Sequence, residues 1–404
     1  MESSNRGSML SESPIRSLMP FARAADAAGK EILHLNIGQP DINTPPKALD
    51  KALSISDSVI PYGPSEGIKS LRKRVAQYYT KFDINVSFDD VLVTTGASEA
   101  IQFSLFSCLD SGDEIIIPEP FYANYLGYTQ MSGIHIVPVN SSFEQEFALP
   151  STEAFHDAIT DKTKAIFLCN PSNPTGKLYP RESLERLAKL IKDKNLFLIV
   201  DEVYREFCYE ESFYSVLNID SIRDNVIVID SISKVFSSCG ARIGYVVTRN
   251  KDIIQAMVRY AQLRLCPPHF GQVLAEACYD ECDEYLPDVR QEYSERRLYL
   301  YDRLSQMEGV KTYRPTAAFY NVVELPIDDA ERFCKWMLTD FIHEGYTVMM
   351  APCDGFYIDK ALGKRQVRIA YILEKDKLAI AMDCLERGLK AYNNAMKLSD
   401  AEAI

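Results

Sequence analysis

This sequence of 404 residues is short of positive charge. Its 44 Lys and Arg face 57 Asp and Glu, a formal net charge of −13 at pH 7. A surface of that sign repels phosphate backbones, which argues against a nucleic-acid-binding protein. Histidine is scarce too: the five, at 34, 135, 156, 269 and 343, lie too far apart for a local metal motif. The ten cysteines are scattered singly except Cys278 and Cys282, whose four-residue spacing suits one helix face rather than a zinc knuckle. All ten read as reduced thiols, mostly buried. No uninterrupted apolar stretch is long enough to span a bilayer, and Met1-Glu-Ser-Ser-Asn-Arg-Gly-Ser8 lacks the apolar core of a signal peptide. A cytoplasmic enzyme or binding protein is therefore the expectation.

What the chain does have is length and rhythm. It suffices for two domains, or a large domain with a smaller partner. Residues 1 to about 13 are polar and expected to be loosely attached. Ile15, Leu18, Met19, Phe21 and Ala22 have roughly helical spacing, ending near Gly29, and Leu33 opens a short strand that runs into the turn Gly38-Gln-Pro-Asp-Ile-Asn-Thr-Pro-Pro46. Tyr62-Gly-Pro-Ser-Glu-Gly67 is a second turn, before a helix patterned by Ile68, Leu71, Val75, Tyr78 and Tyr79. Short apolar runs then alternate with helical segments: 91–93, 115–117, 134–139, 165–169, 197–200 and 226–229. A helix over 182–194 carries Leu184, Leu187, Leu190 and Ile191 on one face. Strands spaced by helices imply a mainly parallel sheet covered on both sides, with functional residues beyond the strands' carboxyl ends.

The residues just past each run are therefore informative. After 91–93 comes Thr94-Thr-Gly-Ala-Ser-Glu99, where Ser98 at a helix start either caps the helix or helps bind a phosphate. After 115–117 comes Tyr122, which could lie flat on an aromatic ligand or simply pack. After 165–169 come two Asn-Pro pairs in Asn170-Pro-Ser-Asn-Pro-Thr-Gly176, a rigid loop able to fix the Asn173 amide. After 197–200 comes Asp201, an acid at a buried strand end that needs a partner, either a protonated ring nitrogen or a neighbouring arginine. After 226–229 comes Asp230-Ser-Ile-Ser-Lys-Val-Phe-Ser-Ser-Cys-Gly-Ala-Arg-Ile-Gly244. Here Lys234 sits between a strand end and Arg242, with Ser231 and Ser233 close by and Gly240 and Gly244 available for a tight turn. Amine, hydroxyls and guanidinium together suit a phosphorylated aldehyde. Alone, the run also admits a solvated lysine with serines capping a turn.

As a set these residues resemble the fold type I pyridoxal-phosphate enzymes, specifically the class I and II aminotransferases. Seven motifs carry the resemblance in the family's order, from Gly38 to Arg368: Ile37-Gly-Gln-Pro-Asp41, Tyr62 with Gly67, Gly96-Ala-Ser98, Asn170 to Gly176, Asp201 to Tyr204, Ser231 to Gly244, and Val367-Arg-Ile-Ala-Tyr371. The resemblance implies an α/β fold, with a large domain whose mostly parallel, seven-stranded-type sheet lies between helices, plus a smaller α/β domain. It implies that Lys234 carries pyridoxal 5'-phosphate covalently and then acts as general base, and that Asp201 pairs with the ring nitrogen. Asn173 and Tyr204 would bond the ring hydroxyl oxygen, and Tyr122 would stack on the ring. Ala97, Ser98, Ser231 and Arg242, with Ser233 beside them, would hold the phosphate, joined by Tyr62 of a second subunit in a homodimer with shared sites. Arg368 would clamp the substrate α-carboxylate, with Asn173 and the Gly38 backbone closing over it.

The last third adds strands over 320–325 and 348–350, helices over 330–343 and 375–396, and Arg368 in a strand between them. With residues 1–47, residues 291–404 are expected to form the small domain, and 48–290 the large one. The partners implied are amino acids and 2-oxo acids, with neither nucleic acid nor membrane, and ping-pong kinetics are expected. Aspartate, or another amino acid, paired with 2-oxoglutarate leads. Aspartate-type members need a cation for the distal carboxylate; one bacterial branch carries a lysine where Ser98 stands, and Tyr122 replaces the tryptophan of typical aspartate enzymes. Arg16 and Arg264 are cations that the sequence alone does not place. The alternatives are an aromatic, alanine or kynurenine-type aminotransferase, a carbon-sulfur lyase, or a non-enzymatic PLP-binding regulator domain. For the last, the roughly 47 preceding residues are too few for a DNA-binding module.

Overall fold

The computed structural model describes residues 3–4, 7–8, 10, 16–56 and 58–402, with side chains described as far as 397. Most of the expected loose N-terminal segment, and Ile15, lie outside the described residues. Twelve strands succeed one another in chain order among the described residues: β1 (Glu31–His34), β2 (Val91–Thr94), β3 (Glu114–Glu119), β4 (His135–Asn140), β5 (Thr163–Cys169), β6 (Phe197–Asp201), β7 (Val226–Ser231), β8 (Gly244–Val247), β9 (Tyr320–Glu324), β10 (Tyr346–Met349), β11 (Ala351–Pro352) and β12 (Gln366–Ala370).

Seven of them form the central sheet, in the order β2-β8-β7-β6-β5-β3-β4. Neighbours from β7 to β4 run parallel, whereas β8 is antiparallel to both β2 and β7. Successive side chains of a strand point to opposite faces, and here both faces are packed. Ile227 and Ile229 join one apolar cluster, Val226 and Val228 another, and β5 and β6 divide in the same way. This accounts for strands that read as continuous apolar runs. On one flank the helix Arg181–Lys194 buries Leu184, Leu187, Leu190 and Ile191 and stops at Asn195, whose left-handed φ of 51° ends the helix.

Two smaller sheets complete the molecule: β1 beside β10, in parallel, and the antiparallel trio β11-β12-β9. The helices Met19–Ala27, Ala330–Thr339 and Lys375–Glu402 pack against β1 and β10.

Several details differ from the sequence reading. Strand β8 was not expected: its four residues begin on Gly244, the last residue of the stretch read as the glycine-flanked loop. Cys278 and Cys282 do not share one helix, because the helix His269–Asp280 ends and Cys282–Ser305 starts after Glu281. Both thiols are nevertheless buried, all ten cysteines are free, and six are buried. The helix from Ala330 stops at Thr339 rather than 343. Residue 290 falls inside the continuous helix Cys282–Ser305. Among the described residues no helix is long and apolar enough to cross a membrane, and no cluster of His, Cys, Asp and Glu is arranged to hold a metal.

Candidate active site

The carboxyl ends of β5, β6 and β7 and the start of the helix Gly96–Cys108 open on one cavity of about 460 Å³. Strand β7 ends at Ser231, and the short helix Ile232–Val235 just after it carries Lys234. Ser231 Oγ accepts from Ser233 N at 3.0 Å and lies 2.7 Å from Ser233 Oγ, so the two hydroxyls form one unit. Lys234 is half-buried. Its Nζ donates to the Gly38 carbonyl at 2.5 Å and lies 3.9 Å from Cys239 Sγ. It thus reaches across the cavity instead of into solvent. The tight turns fall on Ser237 and Arg242, with left-handed φ of 49° and 55°, and not on the two glycines. Gly240 has open space around it. Gly244 is needed for close approach, since a Cβ there would lie 2.6 Å from Ala97 N.

The helix Gly96–Cys108 begins at the cavity, lined there by Ala97 and Ser98. Ser98 is not its cap. Thr95 holds that position, and its N–H donates to the Glu99 carboxylate at 2.7 Å. A Cβ on Gly96 would come within 2.3 Å of Arg242 Nη2, so the guanidinium packs against the first residue of the helix. A cation at the positive end of a helix is unfavourable unless an anion joins them. With Ser231 and Ser233 on the same lining, this end of the cavity suits a phosphate.

Asp201, at the end of β6, is buried. Its carboxylate accepts from Tyr125 Oη at 2.8 Å and from Val203 N at 3.3 Å. Burial raises its pKa to about 6, against the lowering effect of those two donors and of Lys234. The alternative of a neighbouring arginine does not apply to it. Arg205 is fully buried but pairs with Asp230 and donates to Tyr79 Oη at 2.6 Å; Asp230 also accepts from Tyr245 Oη at 2.5 Å and Ser231 N at 2.7 Å. A buried acid on the cavity wall, without an arginine or lysine bonded to it, fits a protonated ring nitrogen.

Asn173 Oδ1 accepts from Arg368 Nη1 at 3.0 Å, which fixes the amide's orientation. Arg368, on β12, is buried; its Nη2 donates to the Asn36 carbonyl, its guanidinium lies 4.7 Å over the Tyr320 ring, and its Nε has no hydrogen-bond partner among the described residues. Tyr204 Oη lies 2.9 Å from Tyr320 Oη. Tyr122 lines the cavity, accepting from Asn124 Nδ2 at 2.7 Å. At Gly38 any Cβ would overlap Tyr320 Oη, at 1.7 Å.

The cavity therefore gathers every expected site residue except Tyr62, which is 80 % exposed and lies outside it. Of the two unplaced arginines, Arg16 lines the cavity. Arg264 does not: it is held by Glu99 at 3.2 Å and by the carbonyls of Val93 and Ser65. Sequence reasoning missed Tyr125, Tyr320 and Cys239. The i, i+3 spacing of Tyr122 and Tyr125 was the available signal for the first. Tyr320 becomes visible only through the pairing of β9 with β12.

Fold and cavity together define an α/β enzyme of the PLP-transferase fold type I. Comparison with known proteins agrees. The family described as aminotransferase class I and II matches residues 30–385. The aspartate aminotransferase of Pyrococcus horikoshii is 31% identical over 389 residues, covering 95% of this chain and 96% of that protein. The solved alanine aminotransferase of Pyrococcus furiosus superposes with a TM-score of 0.89 at 31% identity, over 96% of this chain and all of that one. A single mutant of Thermus thermophilus aspartate aminotransferase gives 0.88 at 27% identity, with the same coverage. The chain belongs to the class I and II aminotransferases and is a pyridoxal 5'-phosphate-dependent transferase.

Proposed function

We propose that this aminotransferase moves the amino group of an L-amino acid, aspartate foremost, to a 2-oxo acid, with glutamate and 2-oxoglutarate as one pair. The observation that carries the reading is that Lys234 and Arg368 line one cavity. One can act at the α-carbon of a molecule whose α-carboxylate the other holds. The aspartate aminotransferase relatives support the choice of donor.

Pyridoxal phosphate supplies an aldehyde and an electron-accepting ring. Lys234 would hold it covalently, and its amine would serve as the base that takes the proton from the substrate α-carbon. Asp201 keeps a proton on the ring nitrogen. Asn173 and Tyr204 donate to the ring hydroxyl oxygen, and Tyr204 can do so while accepting from Tyr320. Tyr122 would pack on the ring. The Ala97 N–H, Ser98, Ser231, Ser233 and Arg242 hold the phosphate. Arg368 orients the α-carboxylate as a bidentate clamp, with Asn173 and the Gly38 backbone beside it. The first substrate departs as a 2-oxo acid before the second enters, so the kinetics are ping-pong.

Residues 48–290 form the large domain, and 1–47 with 291–404 the small one, which carries Gly38 and Arg368 and closes on the substrate. Identical small-angle scattering with and without a tight substrate analogue would count against a large closure. A homodimer with shared sites is supported by exposed Leu53, Val59, Ile60, Tyr62, Leu263, Leu265 and Phe270. The segments bearing them are tied together by Arg264 on the Ser65 carbonyl and by Ile68 N on Gln272. Ten unpaired thiols suit a reducing compartment such as the cytoplasm.

The test is a spectral screen of the holoenzyme against aspartate, glutamate, alanine, aromatic amino acids and kynurenine. The expected result is loss of the cofactor's visible band with aspartate and glutamate, reversed by 2-oxoglutarate, and parallel double-reciprocal lines. Release of pyruvate and ammonia from a cysteine conjugate without any oxo acid would replace this reading with a lyase. A visible band unmoved by every amino acid would end it.

A further inference from the structure

The cavity lining holds four cations, Arg16, Lys234, Arg242 and Arg368, and a single acid, Asp201. Three of the cations have partners in the proposed reaction: cofactor aldehyde, phosphate and α-carboxylate. Arg16 is left over. Its carbonyl accepts from Met19 N at 3.0 Å, which fixes it at the entry of the helix Met19–Ala27. That helix packs on β1, and β1 runs directly into the segment bearing Ile37, Gly38 and Gln39, which line the cavity beside Arg16. Arg16 therefore lines the same cavity as the Gly38 segment, which is proposed to close over the substrate carboxylate.

Among the described residues the Arg16 guanidinium makes no hydrogen bond or ion pair. The acid carried by the same loop, Asp41, is taken by Arg296 at 2.7 Å and cannot neutralise it. Arg264 is committed to Glu99, and no histidine lines the cavity. Among the described residues of this chain, a substrate with a second carboxylate thus meets one uncommitted cation in the cavity lining.

Resting on the amino-transfer reading, we propose that Arg16 reads the substrate side chain by pairing with a second carboxylate, and so makes the enzyme selective for dicarboxylic amino and 2-oxo acids. Arginine suits this task because its planar fork matches a carboxylate with two parallel hydrogen bonds. Arg16 is exposed, so a neutral side chain leaves it in water at little cost, and selectivity is a preference rather than an exclusion.

The experiment compares holoenzyme and its Arg16→Gln and Arg16→Lys variants with aspartate and alanine, and with 2-oxoglutarate and pyruvate. In Arg16→Gln the ratio of kcat/KM for aspartate over alanine should fall about tenfold to a hundredfold. The change should lie mostly in KM, and Arg16→Lys should retain part of the preference. Loss of both substrates in equal measure, as from a merely structural role, overturns the proposal, and so does an unchanged ratio. A wild-type enzyme that transfers the amino group of alanine but ignores aspartate overturns Arg16 alone. One that binds cofactor yet reacts with no amino acid overturns the amino-transfer reading, and Arg16 falls with it.

Discussion

The two ends of the cavity are built in opposite ways. At the cofactor end, Ser231, Ser233, Lys234 and Arg242 come from one stretch of chain, and the Ser231 hydroxyl takes the N–H of Ser233 two residues on. At the substrate end, Arg368 is held by Asn173 and Asn36, 195 and 332 residues away, and Gly38 lies against Tyr320. Local backbone geometry organises this lysine-bearing stretch, whereas only the assembled fold organises the substrate end and brings Ala97, Ser98, Asn173 and Asp201 to the cofactor end. The substrate α-carboxylate is met by side chains gathered from distant segments, which hold one another in place.

Three substitutions would break or sharpen this contrast. On the proposed roles, Lys234→Ala has the largest effect. Amino transfer should fall by roughly a thousandfold or more, measured by single-turnover conversion of aspartate. Retention of a tenth of the activity would move the chemistry away from the cofactor end.

Asp201→Asn comes next, and it acts on stability as well as on the reaction. Burial raises the Asp201 carboxyl from 3.8 to about 6 in the cofactor-free protein, so the folded chain holds this proton more tightly than the unfolded chain does. Its contribution is full below about pH 4, is lost as pH rises to about 6, and is flat above; the loss amounts to roughly 3 kcal/mol. Urea unfolding of the cofactor-free protein from pH 4 to 7 should show this decline on top of that of the buried Glu202, which burial raises to about 7, and the Asn variant should decline less steeply. Equal slopes would mean that the acid is not desolvated as described.

Arg368→Lys is the mildest. It keeps the charge but loses the fork, so kcat/KM should drop about tenfold to a hundredfold. The cofactor's visible band should persist. If the band is lost as well, the two ends are not separable.

Much of this was legible in the sequence because the central sheet is buried on both faces, which makes β3, β5, β6 and β7 plain apolar runs with their functional residues directly after them. Asp201, Asn173 and Lys234 could be found in that way. The spacing from Tyr122 could have drawn attention to Tyr125, but its link to Asp201 depends on how a helix docks on the sheet. Tyr320 required the register in which Val322 faces Arg368. The positive φ of Arg242 went unseen because glycine is the expected bearer of such a conformation, and here the flanking glycines serve other ends. The cap at Thr95 rests on a glutamate four residues ahead, which a search for serine passes over.

The buried pair of Arg205 and Asp230 carries a consequence of another kind. Removing one partner would strand a charge in the interior at a cost of about 3–5 kcal/mol, while replacing both together by well-packed apolar residues can be nearly neutral. The two positions are therefore free to vary only jointly. Across descent they should be inherited as a single character, although 25 residues separate them and neither lines the cavity.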